Sequence, residues 1–406
     1  MKKVIWIVNE YNFPDEFKSR QTILCSLLNS MGYDTYIISG SAKNKGGNVL
    51  TEGKFKFVKT NEAKGYIIRT GSYSNNYERV LTSIQFQARL WHLRNVLPKP
   101  DVIISDFAGL FGYVFLKWKK KYGIKLIYDI LDLWPEGFVD MGYLNKNSPV
   151  TKILYRMEHK TYREADSIFF SFQGGRDYIV DKGWSRDTGG DVDTDSIGYL
   201  NNGLDVACFD EQKEKNIYED RDLDSSKFKV IYLGSISSFN GLDALLEAAE
   251  VLQNRNCRNI DILVYGCGNN ETRIREKAAD LKLENIKFKG RVDKKYAPNI
   301  LSRGDLNLFV FKKTHLLKYG VSPNKLFMYF ASSKPVLSLI RPGFDLVEEN
   351  NAGVSVETAE EAADWILRFS KMNRNEYDLY CKNARQVAEK YDYRILVNSL
   401  VQKIEN

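Results

Sequence analysis

Val230-Ile-Tyr-Leu-Gly-Ser-Ile-Ser-Ser-Phe-Asn-Gly-Leu-Asp243 decides the fold. Val230, Ile231 and Tyr232 suit a buried strand, and Gly234 ends it. After a short polar loop, apolar residues recur at helical spacing over Leu242–Asn254. Strand, glycine loop and helix in this order are the first two elements of a parallel crossover unit. Gly234 allows a ligand close to the backbone, and the helix that follows offers free N–H groups to a phosphate. A tight strand-to-helix turn accounts for the glycine equally well. Tyr265-Gly-Cys-Gly-Asn-Asn-Glu271 repeats the arrangement after the next strand.

Working outward, the same rhythm fills the second half. Strands are expected at Lys229–Leu233, Asp261–Tyr265, Ile286–Phe288, Leu306–Phe311 and Val336–Ile340. Helices are expected at Leu242–Asn254, Glu271–Leu281, Ser322–Ser332 and Ala359–Phe369. The first half reads alike. Its strands fall at Val4–Val8, Thr35–Ser39, Tyr66–Arg69, Val102–Ser105, Lys125–Tyr128, Ser167–Ser171 and Ile197–Leu200. Its helices fall around Phe17–Met31, Tyr77–Val96, Leu110–Lys121 and Thr151–Glu164. β-then-α alternation implies parallel sheets covered on both faces. The charged run Asp210–Lys227 reads as a linker between two doubly wound domains. Ligands in such sheets bind beyond the carboxyl ends of the strands, so a cleft between two facing domains is the expected site.

At 406 residues the chain exceeds what one core usually holds. No window has the uninterrupted apolar length of a membrane span. Met1–Val8 reads as a first strand, because Asn9, Glu10 and Asn12 cut it too short for a leader. Five scattered cysteines without CxxC spacing imply reduced thiols and a cytoplasmic setting, and three dispersed histidines argue against a metal centre. Asp191-Val-Asp-Thr-Asp195 begins like a calcium loop, but Ser196 and Asn202 stand where glycine and glutamate are needed. The net charge of +7 fits an anionic ligand or membrane surface, and no nucleic-acid module is present. Tyr77–Arg94 and Tyr113–Tyr122 are amphipathic, basic and aromatic. They read as sheet-covering helices or as a surface that rests on anionic lipid.

Two stretches carry candidate chemistry. In Gly320-Val-Ser-Pro-Asn-Lys-Leu-Phe-Met-Tyr329, Ser322 is placed to cap a helix and Pro323 to occupy its first turn. Lys325 then adds a cation to an end that is already electropositive, which makes sense if an anion sits there. A solvated lysine is the plain alternative. In Leu126-Ile-Tyr-Asp-Ile-Leu-Asp-Leu-Trp-Pro-Glu136, acids follow a strand's carboxyl end. One of them could act as a base or hold a sugar hydroxyl, or simply bond the nearby backbone.

Taken in order, Asp132-Leu-Trp-Pro-Glu136, Asn202-Gly-Leu-Asp205, Tyr232-Leu-Gly, Tyr265-Gly-Cys-Gly, Gly290-Arg-Val, Ser322-Pro-Asn-Lys-Leu-Phe, Lys334-Pro-Val-Leu and Ala352-Gly-Val resemble the family-4 glycosyltransferases. The nearest likeness is to those of bacterial capsule, exopolysaccharide and O-antigen synthesis. The resemblance implies the GT-B architecture, α/β with two Rossmann-like doubly wound domains facing across a cleft. Residues 1–205 would be the acceptor domain and 206–385 the nucleotide-sugar domain, with a terminal helix over 386–406 packing back on the first. It implies a retaining, metal-independent transfer of sugar from a nucleotide diphosphate to a polysaccharide-precursor or lipid-linked acceptor, without a cofactor. Lys325 matches the family lysine at the donor diphosphate, and Gly234 the glycine of the first diphosphate loop. Ser235, Asn240, Gly266, Arg291, Ser322, Asn324 and Met328 complete the implied donor site. Asp132 joins Lys325 as the implied catalytic pair, and Asp15, Arg20 and Glu136 lie on the implied acceptor side. The implied location is cytoplasmic, at the inner face of the membrane. Gly320 and Met328 stand where the family has two glutamates, Ser235 and Asn240 where it has an arginine and a lysine, and Leu131 where it has a histidine or arginine. These replacements suit an alternative: a catalytically silent homologue that serves as a binding or scaffolding subunit.

Overall fold

The computed structural model describes residues 2–16, 18–42 and 49–406. The chain forms two compact units, Met1–Asn201 with Tyr393–Asn406, and Asn202–Asp392. The first carries strands β1 (Val4–Val8), β2 (Asp34–Gly40), β3 (Phe55–Lys59), β4 (Lys64–Ile68), β5 (Val102–Ser105), β6 (Lys125–Ile130), β7 (Ser167–Phe170) and β8 (Ile197–Tyr199). They lie in the order β3-β4-β2-β1-β5-β6-β7-β8, parallel except for the β3–β4 pair. The second carries β9 (Phe228–Leu233), β10 (Ile260–Tyr265), β11 (Ile286–Gly290), β12 (Leu306–Phe309), β13 (Val336–Ser338) and β14 (Gly353–Ser355). These lie in the order β11-β10-β9-β12-β13-β14, all parallel. In both sheets the order turns back beside the first strand, which is the doubly wound pattern read from the sequence.

Each sheet is buried because helices cover it. In the first unit Ile5 and Ile7 pack with Leu24, Leu28 and, from the last helix Tyr393–Glu405, Val397, Leu400 and Ile404. In the second, Val230, Tyr232, Ile262 and Val264 pack with Leu245, Leu246, Ala249 and Ile366. The alternating apolar residues that suggested strands and helices are the ones that fill these cores.

Four local expectations change. The helix expected from Phe17 runs Arg20–Ser30, capped by the Ser19 side chain; Phe17 itself lies outside the described residues. The helix expected from Ser322 runs Asn324–Ala331 with Pro323 at its cap position and no side-chain cap bond. The Ser322 hydroxyl instead accepts the Asn202 N–H at 3.0 Å, while the Ser322 carbonyl accepts from the Asn202 amide at 2.6 Å. The helix expected over Leu110–Lys121 starts at Val114. Finally, Asp210–Lys227 is not a linker between the units, because it lies wholly within the second. It opens on the helix Val206–Lys215. Its later carboxylates then tie to β11, with Asp220 to Lys289 at 2.7 Å and Asp222 to Lys287 at 2.6 Å, while Tyr265 donates to Asp220 at 2.8 Å. Two carboxylates of the expected linker are paired with lysines more than 60 residues away.

Candidate functional site

At the carboxyl end of the second sheet the strands continue into one hydrogen-bonded rim. Gly234 N–H donates to the Tyr265 carbonyl at 3.0 Å and Gly266 N–H to the Gly290 carbonyl at 2.7 Å. Ile236 N–H donates to the Cys267 carbonyl at 2.9 Å. Gly266 sits at φ +144°, and a Cβ there would lie 1.8 Å from the Gly234 carbonyl oxygen. Only glycine lets the two loops close on each other.

Lys325, in the first turn of the helix Asn324–Ala331, reaches into this rim. Its Nζ donates to Asn240 Oδ1 at 2.7 Å and to the Val310 carbonyl at 3.0 Å. It stands 5.0 Å from the Tyr232 ring centre and 5.3 Å from that of Phe309. A Cβ on Gly234 would meet its Cδ at 3.3 Å, so the glycine makes room for the lysine stem. Asn240 is held in turn: its Nδ2 donates to the Ser235 carbonyl and hydroxyl, both at 2.8 Å, and to Ser237 Oγ at 3.0 Å. The helix is fastened to β9 by Tyr329, whose hydroxyl donates to the Leu233 carbonyl at 3.0 Å and accepts its N–H at 3.1 Å.

Both partners of the Lys325 ammonium are neutral oxygens. Burial therefore pushes its pKa down to about 7, since nothing nearby compensates the desolvated charge. Gly234, Ser235, Asn240, Gly266 and Lys325 are thus brought together. Asn324 is exposed, and Met328 lies one turn further along the same helix, partly buried. Arg291 is exposed and directly follows Gly290. Ser322 is engaged with Asn202 and does not cap.

In the first unit the expected residues separate. Asp132 is exposed just beyond β6, and Asp15 is exposed in the turn before the first helix. Arg20 is buried, not turned towards an acceptor. Its Nε and Nη2 grip Asp129 at 3.1 and 2.8 Å, and it donates to the Leu200 and Asn201 carbonyls, both at 2.8 Å. Asp129 lies inside β6 at 1% exposure, not in the loop. Asp106 sits beside it, accepting from Asn9 at 2.6 Å and from Gln21, and its carboxyl is pushed up to about 7 by burial and the Asp129 charge. Glu136 is likewise occupied, because Tyr155 and Lys182 both donate to it. Burial alone would raise its pKa, but the Lys182 contact holds it below the usual range. Neither Arg20 nor Glu136 is open to a ligand.

The sequence reading passed over Glu10, Tyr11 and Arg79. Glu10 is 5% exposed, two residues beyond β1, and its Oε1 carries no hydrogen bond. Burial raises its pKa to about 7 against the opposing effects of the Ser83 hydroxyl and the Arg79 charge. The signal was available: it follows a buried strand's carboxyl end, as Asp132 does.

Residues 227–372 match the family model "Glycosyl transferases group 1". Over 221 residues the chain is 22% identical to WcaI of Escherichia coli (strain K12), a protein assigned as a colanic acid biosynthesis glycosyl transferase. That match covers 53% of this chain and 52% of WcaI, about half the length of each. Sucrose-phosphate synthase from Thermosynechococcus elongatus superposes with a TM-score of 0.73 at 14% identity, covering 99% of this chain and 98% of that one. HepE from Anabaena, in its complex with UDP-glucose, superposes with a TM-score of 0.67 at 13% identity, covering 99% of both. Two Rossmann-like sheets in one chain are the GT-B fold, and residues 227–372 of the second unit are similar to the glycosyl transferases of group 1.

Proposed function

We propose that the chain transfers a sugar from a nucleoside-diphosphate donor to a glycan or lipid-linked acceptor of polysaccharide synthesis. The observation that carries this reading is Lys325, a desolvated amine in a glycine-rimmed cradle at the carboxyl end of a Rossmann-like sheet. A diphosphate arriving there would supply the countercharge that the amine lacks. HepE holds UDP-glucose on the same fold. Transfer breaks the bond between the anomeric carbon and the β-phosphate, and negative charge grows on the leaving diphosphate. Lys325, the neighbouring backbone amides and Arg291 would stabilise it, so no metal ion is needed for that task. The transfer would retain the anomeric configuration. Asp132 would accept a hydrogen bond from the acceptor hydroxyl. Met328 offers a ribose only a weakly accepting thioether, so donor affinity must rest on the diphosphate end.

The titration of Lys325 gives a direct test. Its pKa is lowered in the free protein and would recover against a diphosphate, so binding above pH 7 requires proton uptake. Calorimetric titration of uridine diphosphate between pH 7 and 9 should show affinity falling about tenfold per pH unit. Lys325→Arg should flatten that slope, because arginine stays charged throughout. A slope unchanged in Lys325→Arg would refute the diphosphate assignment.

A second property is proposed on a separate observation. The helix Asn76–His92 exposes Tyr77, Leu81 and Ile84 at i, i+4 and i+7, and Val96 is exposed beyond its end. The adjoining helix Val114–Tyr122 exposes Lys117, Lys120 and Lys121. Among the described residues no helix is long and apolar enough to cross a membrane. An apolar stripe beside lysines suits the surface of an anionic bilayer, with each lysine contributing about 1 kcal/mol near it. Co-sedimentation with phosphatidylglycerol vesicles should exceed that with phosphatidylcholine, weaken with salt, and drop in Leu81→Ser/Ile84→Ser. Equal binding to both lipids would remove the proposal.

A further inference from the structure

We propose that Arg79, Asp132 and Glu10, with the rings of Tyr11, Tyr73 and Phe107, form a subsite for a neutral pyranose of the acceptor. This rests on the transferase reading above and names the chemistry that its acceptor must present. The residues come from the carboxyl ends of β1, β4, β5 and β6 and from the helix Asn76–His92, so the parallel sheet collects them at its ligand-binding edge. The Arg79 guanidinium lies 4.4 Å over the Tyr11 ring and is itself exposed. Its charge favours the ionised forms of both Glu10 and Asp132, so the guanidinium lies within electrostatic reach of both carboxylates. The Tyr11 hydroxyl bonds Ser83 Oγ at 3.2 Å, fixing the ring. Tyr73 and Phe107 each meet Tyr11 edge-on at 6.3 Å, and all three rings are partly exposed.

Glu10 supplies the independent sign of a ligand. Its backbone carbonyl accepts from Gly40 N–H at 3.0 Å, and a Cβ on Gly40 would press to 2.9 Å of its Cγ, so the side chain packs against Gly40 in space that only glycine leaves. A buried carboxylate oxygen without a donor is costly, and a hydroxyl or the water it holds would satisfy it. One guanidinium with two carboxylates gives donors and acceptors for vicinal hydroxyls without a large excess charge. Aromatic faces beside them accept the C–H face of a sugar ring. A lipid chain would leave these charges unanswered, and a phosphate would be repelled by two carboxylates.

The test is saturation-transfer NMR of the full chain with methyl glycosides of glucose, galactose, mannose, fucose and rhamnose, run beside a titration of uridine diphosphate. At least one glycoside should bind, with the strongest transfer to one ring face. Arg79→Met and Asp132→Asn should each weaken it at least tenfold, and Arg79→Lys should restore part of the loss. Diphosphate affinity, which reports on the Lys325 cradle alone, should stay unchanged in all three variants. A glycoside that binds Arg79→Met as well as the parent, or a panel in which none binds while uridine diphosphate does, overturns the subsite. Loss of diphosphate binding in the parent would instead overturn the transferase reading.

Discussion

On the proposed transferase reading, Lys325→Ala should lower turnover of a nucleoside-diphosphate sugar by about two to three powers of ten, the cost of removing one charged donor from a leaving group in a dry site. The loss should fall mainly on kcat. In the ground state the diphosphate spreads its charge over several oxygens that amides and water also contact. In the transition state new charge gathers on the β-phosphate oxygen, and the ammonium is worth most there. The variant should fold, because the cradle is held by other contacts: Tyr329 still bridges to Leu233, and Asn240 still bonds Ser235. Asn240→Ala is the informative companion. It removes one of the two oxygens that orient the amine and leaves the charge, so it should cost less than Lys325→Ala. Release of nucleotide from a panel of donor sugars measures both. Turnover in Lys325→Ala equal to that of the parent would leave the catalytic assignment without support. If the parent itself binds nucleotide but turns over no donor, the chain is a silent binding homologue.

The elements that were legible in the sequence share one property: their signal is local. Val230–Leu233 followed by Gly234 reads as a buried strand and a turn without knowledge of its neighbours, and Lys325 two residues after Pro323 reads as a helix start. The glycine-lined rim around Lys325 was therefore visible in outline. β3 was not, because this edge strand is mostly exposed, and lysines at Lys56 and Lys59 break its apolar pattern. β14, three residues long, has no periodicity to read. The start of the Lys325 helix was misplaced for a tertiary reason, since the Ser322 hydroxyl that could cap it is claimed by Asn202, 120 residues away. The same holds in the first unit. The resemblance implies acceptor-facing roles for Arg20 and Glu136, and only contacts 109 and 46 residues distant show that their charges are spent internally. Glu10 and Arg79 are the converse case, separated by 69 positions and joined only by the sheet edge.

Arg20 makes the second large effect a matter of stability. Its guanidinium and Asp129 are 4% and 1% exposed, with nearly every polar atom of the pair satisfied inside the protein. Asp129→Asn leaves a buried cation facing carbonyls only, and Arg20→Met leaves a buried carboxylate beside Asp106. Each should destabilise the first unit by about 3–5 kcal/mol. The pH dependence separates them. Asp106 is already raised to about 7 by burial and by the Asp129 charge, so it binds its proton more tightly folded than unfolded. Its contribution is present below the unfolded carboxylate pKa and is lost as pH rises towards 7. Arg20→Met removes the cation that opposes this shift, so its deficit should deepen from pH 5 to 8. Asp129→Asn removes a charge that drives the shift, so its deficit should be flatter. Five of the six tryptophans, Trp6, Trp91, Trp118, Trp134 and Trp184, lie in the first unit, so their fluorescence in a urea titration follows that unit even where the chain does not unfold in one step. Because Arg20 also holds the Leu200 and Asn201 carbonyls, the last before the chain enters the second unit, its loss should loosen that segment first. Amide exchange at residues 197–201 in Arg20→Met should then rise well before the transition midpoint, and protection there equal to that of the parent would show that Asp129 alone carries the pair's effect.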